Sequence, residues 1–232
     1  MTARRPGSRG HDLAGTGYLV QPEGSAGPGV LVLHSWWGLT PFFKDLCHRL
    51  ADEGFTALAP DLLAGQLPDT RDEAQRVLLE ADMNLSAALV LSSARALRSA
   101  TDDPRGPIGV LGFSMGASWG LWLAARSPKE VAAAVAFYGT QSVDFAEAEA
   151  AFLGHFGADD DSVPVDDIVE LESQLALVGR EVTFHTYPRA RHWFFESDRA
   201  DAYDEAAAEL AWERSLRFLS ERLSSRGDAA AP

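Results

Sequence analysis

The sequence is poor in cysteine and in basic residues, and it has no long apolar run. Cys47 is the only cysteine in 232 residues, which excludes an intrachain disulfide and a cysteine-based metal site. This suits a reducing, cytoplasmic location. Lysine and arginine total 20 against 34 aspartates and glutamates, a formal charge of -14. Nucleic acid and anionic membranes are therefore poor partners. No window approaches the roughly 18 uninterrupted apolar residues of a transmembrane helix.

The two ends of the chain differ in composition from the part between them. Arg4 and Arg5 are not followed by the apolar segment that a secretory signal needs. Residues 1–11 and 225–232 are expected to be disordered tails. Hydrophobic residues make up 46% of the chain, enough for a substantial core. Because no repeat or linker divides residues 12–224, we expect them to form a single domain.

Short apolar runs alternate with helical patterns along the chain. This alternation predicts an α/β fold, a mostly parallel central sheet with helices on both faces. In the longest helical stretch, Leu85 and Ala88 fall on the expected buried stripe, and a break is expected near residues 82–84. Residues 61–106 are too short for a large lid domain. Strands are expected near residues 17–21, 29–34, 55–59, 107–113, 131–138, 151–156 and 181–187, and helices near 41–53, 70–100, 115–125, 165–178 and 201–223.

A Gly-x-Ser-x-Gly pattern, from Gly112 to Gly116, lies where an apolar run passes into a small-residue helical pattern. A serine on a tight strand-to-helix turn exposes its hydroxyl, and only small neighbours let the backbone turn so sharply. By itself the pattern fits an ordinary turn serine equally well. The two interpretations are distinguished by whether an acid and a histidine follow in the right order.

An acid and a histidine do follow Ser114, each just after a predicted strand. The acid is one of Asp159, Asp160 and Asp161, with Asp160 preferred, and the base is His192. Functional groups in parallel sheets gather beyond the carboxyl ends of the strands, so these side chains are expected to meet. His192 would take the serine proton during attack on a carbonyl, and the acid would orient the imidazole.

The tetrahedral intermediate of such an attack needs two backbone N–H donors for its oxyanion. The N–H of Met115 directly follows the serine, and Trp36 follows the strand at 29–34. We expect these two to form the oxyanion hole. His34 lies two residues before Trp36 and Trp37 directly after it, and either a substrate contact or a structural role remains open for each.

These motifs together resemble the dienelactone hydrolase family of α/β-hydrolases, over roughly residues 12–223. The resemblance implies the α/β-hydrolase fold and, by its spacing after Gly157, selects Asp160 as the acid. The matching segments are Trp36-Trp37-Gly38-Leu39, Gly112-Phe113-Ser114-Met115-Gly116, Gly157-x-x-Asp160-x-x-Val163-Pro164, Tyr187-Pro188-x-x-x-His192-x-Phe194 and residues 202–212.

Two departures from the family pattern bear on the mechanism. Ser114 stands where members usually carry cysteine, and Ser35 stands where they often carry a glutamate that controls the thiol. A hydroxyl has no stable anion to control near neutral pH, so both changes indicate a serine-nucleophile variant. His34, Ser35 and Trp37 are candidate substrate-binding residues, and the resemblance implies that an arginine can hold a substrate carboxylate. Arg199 is the nearest candidate.

The sequence therefore predicts a hydrolase of small carboxylic esters or lactones that uses a Ser-His-Asp triad and an acyl-enzyme. It predicts no cofactor and no metal site, and a monomer or weak homodimer. Two alternatives remain: a non-catalytic binding or regulatory protein on the same scaffold, and a small peptidase.

Overall fold

The computed structural model describes residues 9–13 and 15–224, which belong to two compact units divided between Ile108 and Gly109. Each unit carries strands and helices in alternation, as the sequence predicts. The tails expected at residues 1–8 and 225–232 lie outside the described residues. The single domain expected over residues 12–224 stays a prediction.

The first unit carries a four-stranded arrangement in the order β1-β2-β4-β3. Its elements are β1 (Arg9–Asp12), β2 (Gly17–Gln21), β3 (Gly29–Leu33), α1 (Pro41–Asp52), β4 (Thr56–Pro60), α2 (Arg71–Glu80) and α3 (Met83–Ser99). β3 and β4 are parallel, and β1 and β2 join them antiparallel. Every residue of β3 and β4 is buried, as expected for apolar runs inside a covered sheet. α1 and α3 pack against these strands.

The expectation that residues 9–11 belong to a disordered tail is wrong, because they form part of β1. The segment contains no apolar side chain that would signal a strand. It is held by backbone pairing with β2, in which Gly10 lies opposite Val20. The intervening turn is stabilised by the Asp12 carboxylate, whose Oδ1 accepts a 3.0 Å hydrogen bond from the N–H of Gly15.

The break expected near residues 82–84 is confirmed, and side-chain capping explains it. Thr70 and Glu73 form a capping box at the start of α2. The Asp82 carboxylate then accepts hydrogen bonds from the N–H groups of Asn84 and Leu85, which starts α3. Among the described residues no single helix is long and apolar enough to cross a membrane; α2 and α3, bent by 90°, pass that test only as a pair.

The buried stripe predicted for this region is wrong. Leu85 is 69% exposed and Ala88 is exposed, whereas α3 buries Val90, Ala94 and Leu97. The predicted stripe assumes one continuous apolar face on both sides of the break. Because a new helix starts after Asp82, the face of α3 is set by its packing on β3 and β4 and not by continuation of the α2 pattern.

The second unit carries strands in the order β5-β6-β7-β8, with β6, β7 and β8 parallel to one another. Its elements are β5 (Ile108–Phe113, whose first residue precedes the division), α4 (Met115–Arg126), β6 (Val131–Phe137), β7 (Ala151–Gly157), α5 (Val165–Leu177), β8 (Val182–Tyr187) and α6 (Glu205–Ser224). β5, β6 and β7 are buried throughout, while β8 is only partly buried. α4 and α6 pack on β6, and α5 packs on β8.

The last helix begins four residues later than the sequence predicts. Asp204 caps it: its Oδ1 accepts from the N–H of Ala207, and its carbonyl accepts from the N–H of Ala208. The preceding residues form turns instead, with the N–H groups of Ala202 and Tyr203 both donating to the carbonyl of Arg199. The residue that caps the start of α6 is therefore Asp204, and the helix begins at Glu205.

Candidate active site

Ser114 lies on a sharp turn between β5 and α4. Its φ of 51° and ψ of -113° are values that residues other than glycine seldom adopt. Gly112 makes the turn possible, because a Cβ there would lie 2.7 Å from the Cα of Ala117 and would collide with the carbonyl of Gly116. The Gly-x-Ser-x-Gly pattern thus forms the strand–turn–helix that exposes a serine hydroxyl.

The structure brings the three predicted triad residues together. Ser114 Oγ lies 2.8 Å from His192 Nε2, and His192 Nδ1 lies 2.8 Å from Asp160 Oδ2. The Nδ1–H donates to the carboxylate, so Nε2 is left to accept the serine O–H. The side chains of His192 and Asp160 are 8% and 2% exposed, so water competes little for this hydrogen bond.

Asp160 is held with both carboxylate oxygens engaged. Oδ1 accepts hydrogen bonds from the N–H groups of Ser162 at 2.8 Å and Val163 at 3.2 Å, while Oδ2 faces His192. Three N–H donors therefore fix the orientation of this carboxyl group. Of the three consecutive aspartates, Asp160 is the one that contacts the imidazole.

The loops that carry Asp160 and His192 are tied to each other by their backbones. The N–H of Ala158 donates to the carbonyl of Tyr187, and the N–H of Asp159 donates to the carbonyl of Ala190. Gly157 allows this approach, because a Cβ there would lie 2.8 Å from the carbonyl carbon of Ala190 and would meet its oxygen. The separation of acid and base is therefore set by main-chain bonds.

The end of β6 supports the nucleophile, a role that the sequence pattern did not indicate. The carbonyl of Phe137 accepts a 2.9 Å hydrogen bond from the N–H of Ser114. A Cβ on Gly139 would lie 2.6 Å from the carbonyl oxygen of Ser114, so the turn packs directly on this strand end. Tyr138 lies between Phe137 and Gly139 in the sequence, and the centroid of its ring is 5.0 Å from that of His192.

Glu196 is a second residue that sequence reasoning missed. It is fully buried and its Oε1 accepts a 2.9 Å hydrogen bond from the Tyr138 hydroxyl. Burial first, and then the charge of Glu196, raise the pKa of Tyr138 well above its ordinary value, so the phenol stays protonated and donates. In the sequence, Glu196 is marked only by its position directly after the aromatic run at 193–195, which by itself indicates no role.

A hydrogen-bond network around His155 joins β7, β8 and α6. The Ser215 hydroxyl donates to the carbonyl of Ala211, so its oxygen accepts from His155 Nε2–H at 3.0 Å. His155 Nδ1 then accepts from the Tyr187 hydroxyl at 2.8 Å, and that oxygen accepts from Arg214 at 3.2 Å. One ring nitrogen of His155 donates and the other accepts, which is the pattern of a neutral imidazole. Burial, followed by the charges of His185 and Arg214, holds the pKa of His155 well below its ordinary value.

In the first unit, the arrangement around His34 favours the structural alternative. The residue is fully buried, its Nδ1 lies 2.7 Å from the carbonyl of Ser35, and its Nε2 accepts from the N–H of Leu62 at 2.9 Å. Burial lowers the pKa of His34, while the hydrogen bond to the Ser35 carbonyl and the charge of Asp61 act to raise it. Both ring nitrogens therefore hold loop backbone, and substrate contact by His34 stays an untested prediction.

The loop after β3 turns tightly. The N–H of Gly38 donates to the carbonyl of Ser35, and Gly38 adopts a φ of 87°. Ser35 is fully buried and Trp37 is 5% exposed, while Trp36 is half-buried with its ring 5.4 Å from that of Trp37. Burial gives Ser35 and Trp37 little surface for a substrate; their predicted substrate contacts stay untested.

Two further candidates lie in the second unit. Met115 is the first residue of α4, where backbone N–H groups lie outside the intrahelical ladder, and such groups at a helix start can donate to an anionic ligand. Arg199 Nε lies 3.8 Å from Asp198 Oδ1, and the Arg199 side chain is 19% exposed. Among the described residues, no group of three histidine, cysteine, aspartate or glutamate side chains is arranged to hold a metal ion.

Sequence comparisons relate nearly the whole chain to one family. Residues 16–223 match the model of the dienelactone hydrolase family. "Protein usf" of Aquifex pyrophilus is 31% identical over 217 residues, which cover 90% of this chain and 94% of that protein. A protein of Aquifex aeolicus named "Putative carboxymethylenebutenolidase" is 31% identical over 212 residues, covering 88% and 91% of the two chains.

Solved structures place the chain in the α/β-hydrolase fold. A protein from Klebsiella pneumoniae described as "Putative Dienelactone Hydrolase" is 27% identical, with a TM-score of 0.78 over 88% of this chain and 92% of that one. A metagenomic protein described as a dienelactone hydrolase-like promiscuous phosphotriesterase is 22% identical, with a TM-score of 0.79 over 93% and 97%. The fold class expected from the sequence is confirmed.

Proposed function

The chain belongs to the dienelactone hydrolase family, and from that membership we propose that it cleaves small carboxylic esters or lactones with Ser114 as the nucleophile. The observation that carries the proposal is the unbroken hydrogen-bond chain from Ser114 Oγ through His192 to Asp160, with both distances at 2.8 Å. A serine hydroxyl is a weak nucleophile, and this arrangement provides its general base and orients that base.

In the first half of the proposed reaction, Ser114 Oγ attacks the carbonyl carbon while His192 Nε2 takes its proton. The resulting tetrahedral intermediate collapses when His192 returns that proton to the leaving alcohol oxygen. An ester releases the alcohol, whereas a lactone ring opens and keeps the hydroxyl on the acyl group. The Met115 N–H, at the start of α4, stabilises the oxyanion, and we assign the second donor to Trp36.

In the second half, water replaces the alcohol as the nucleophile. His192 Nε2 takes a proton from the water as its oxygen attacks the acyl carbon of the ester formed on Ser114. The bond to Ser114 Oγ then breaks, the proton returns to the serine, and the carboxylic acid leaves. The buried Asp160 carboxylate stabilises the imidazolium in both halves. His34, Ser35, Trp37 and Arg199 remain candidates for binding the acyl group.

The test compares Ser114→Ala with a matched serine on the same helix. Ser118 lies one turn further along α4, and its hydroxyl donates to the carbonyl of Thr140 at 2.8 Å. Hydrolysis of short p-nitrophenyl esters and small lactones should be lost in Ser114→Ala and kept in Ser118→Ala. Full ester hydrolysis by Ser114→Ala would refute the mechanism.

A fluorophosphonate probe tests the alternative of a non-catalytic binding protein. The probe forms a covalent adduct with a serine only when a base activates it. We expect the wild type and Ser118→Ala to be labelled at Ser114, and Ser114→Ala to remain unlabelled. A folded wild-type protein without an adduct would favour the binding protein.

A further inference from the structure

Two aromatic side chains of the second unit contact the imidazole of His192. The ring of Tyr138 lies 5.0 Å away at an interplanar angle of 58°, and that of Trp193 lies 4.6 Å away at 89°. Tyr138 is fully buried and Trp193 is 3% exposed. We refer to Tyr138 and Trp193 as the ring pair.

The backbone holds the ring pair in an uncommon conformation. Tyr138 has a φ of 39° and Trp193 a φ of 65°, and both values lie in the region that residues other than glycine avoid. Such strain persists only where the surroundings over-determine it, and it clusters at functional sites. Its effect here is to direct two rings at the side chain that must transfer the proton.

The Tyr138 ring is anchored at its far end by a buried acid. Its hydroxyl donates to Glu196 Oε1 at 2.9 Å, and the Glu196 side chain is fully buried. The ring of Phe194 packs on the same tyrosine at 5.4 Å. A tyrosine held at its hydroxyl and along its ring has little freedom to turn away from His192.

We infer that Glu196 is a positioning residue for His192, acting through the Tyr138 ring that it anchors. The inference rests on the proposed function, in which His192 Nε2 must stay aligned with Ser114 Oγ. The hydrogen bond to Asp160 fixes Nδ1 but leaves the imidazole free to tilt about that bond. Contact with the ring pair restricts the tilt, and small misplacements of a catalytic group are costly in rate.

The kinetic test uses Tyr138→Phe, which removes only the anchored hydroxyl, and Glu196→Ala, which removes the anchor. Both should lower kcat for a p-nitrophenyl ester by about 10-fold, with KM changed by less than about two-fold. Glu196→Gln keeps an acceptor oxygen for Tyr138 and should restore kcat to near the wild-type value. Tyr18→Phe is the matched control, since that hydroxyl also makes a side-chain hydrogen bond, at 2.8 Å to His48 in the first unit. It should leave kcat unchanged.

A spectroscopic readout separates this inference from the proposed function. The Nδ1 proton of His192 should give a resolved NMR signal in the wild type, because it is bonded to the buried Asp160 carboxylate. The signal should broaden or disappear in Tyr138→Phe and Glu196→Ala proteins that remain folded by circular dichroism, and it should persist in Glu196→Gln. This measurement needs no turnover, so it decides the positioning role even if Ser114 does not react with the probe.

Several results would overturn the positioning role. One is an unchanged kcat and an unchanged His192 signal in both Tyr138→Phe and Glu196→Ala. Another is a rise in KM alone, which would indicate a substrate contact. A third is a Glu196→Gln protein as slow as Glu196→Ala, which would mean that the charge matters and not the anchor.

Discussion

Acid should destabilise this protein through His155, and the substitution His155→Gln should remove that effect. The imidazole is buried in a network that suits its neutral form, between the Tyr187 and Ser215 hydroxyls. Its pKa is held well below the ordinary value of 6.5. As the pH falls below 6.5, His155 takes up a proton in the unfolded chain but stays neutral in the folded chain. The stabilising contribution is therefore complete above pH 6.5 and is lost as the pH falls below it.

The size of the effect follows from one proton. Well below pH 6.5, a histidine that is protonated only in the unfolded chain changes the free energy of unfolding by about 1.4 kcal/mol per pH unit. Integrated from pH 7.5 to pH 5.0, the loss is about 2 kcal/mol. That is a large fraction of the roughly 5–15 kcal/mol by which domains are stable. Glutamine can still accept from Tyr187 and donate to Ser215, but it does not titrate.

Urea unfolding at the two pH values, followed by circular dichroism, measures the effect. The wild type should lose about 2 kcal/mol more than His155→Gln between pH 7.5 and 5.0. His11→Gln, a change at an exposed histidine on β1, should behave like the wild type. The pKa values of His34 and His185 are also lowered, but both residues are present in every variant and cancel in the comparison. Equal losses in the wild type and His155→Gln would refute the reasoning.

Three further changes test the site and the core. Asp160→Asn should lower kcat on p-nitrophenyl esters by about 10⁴-fold, because an amide no longer selects the productive His192 tautomer. The circular dichroism spectrum should be unchanged, and a rate near the wild-type value would contradict the role of Asp160. Gly139→Ala should lower the activity, and it should lower the free energy of unfolding by about 1–3 kcal/mol, because the added Cβ would lie 2.6 Å from the carbonyl oxygen of Ser114. An unchanged midpoint of urea unfolding would contradict this packing. Cys47 is fully buried, and burial raises the pKa of its thiol. An aromatic disulfide reagent should therefore react with Cys47 only in the unfolded protein. Rapid labelling of the folded protein would contradict the burial.

Local sequence patterns predicted most elements because their signals are short-range. The continuous apolar runs became β3, β5, β6 and β7, and the break before α3 is made by a capping aspartate within the same segment. Prediction failed where the deciding partner is remote in sequence. Residues 9–11 form a strand only because β2 pairs with them, and the buried face of α3 is chosen by the strands it covers.

The same division applies to the site. Ser114, Asp160 and His192 could be proposed because the turn, the acid and the base each follow a strand end in a recognisable order. Tyr138 and Glu196 could not, because a tyrosine at a strand end and an acid after an aromatic run have no motif. Their roles depend on a 2.9 Å hydrogen bond between residues 58 positions apart.

By itself, the sequence determined the fold class and the family and predicted Ser114 as the nucleophile, since each follows from the order and spacing of residues along the chain. Only the tertiary structure decided how the Asp160 carboxylate is held by the N–H groups of Ser162 and Val163, and that both nitrogens of His34 bind loop backbone. The contact between the Tyr138 ring and the His192 imidazole is likewise visible only in the tertiary structure. The physical reason is range: turns, caps and apolar runs act between near neighbours, whereas the orientation of a buried side chain is fixed by hydrogen bonds and packing from distant segments.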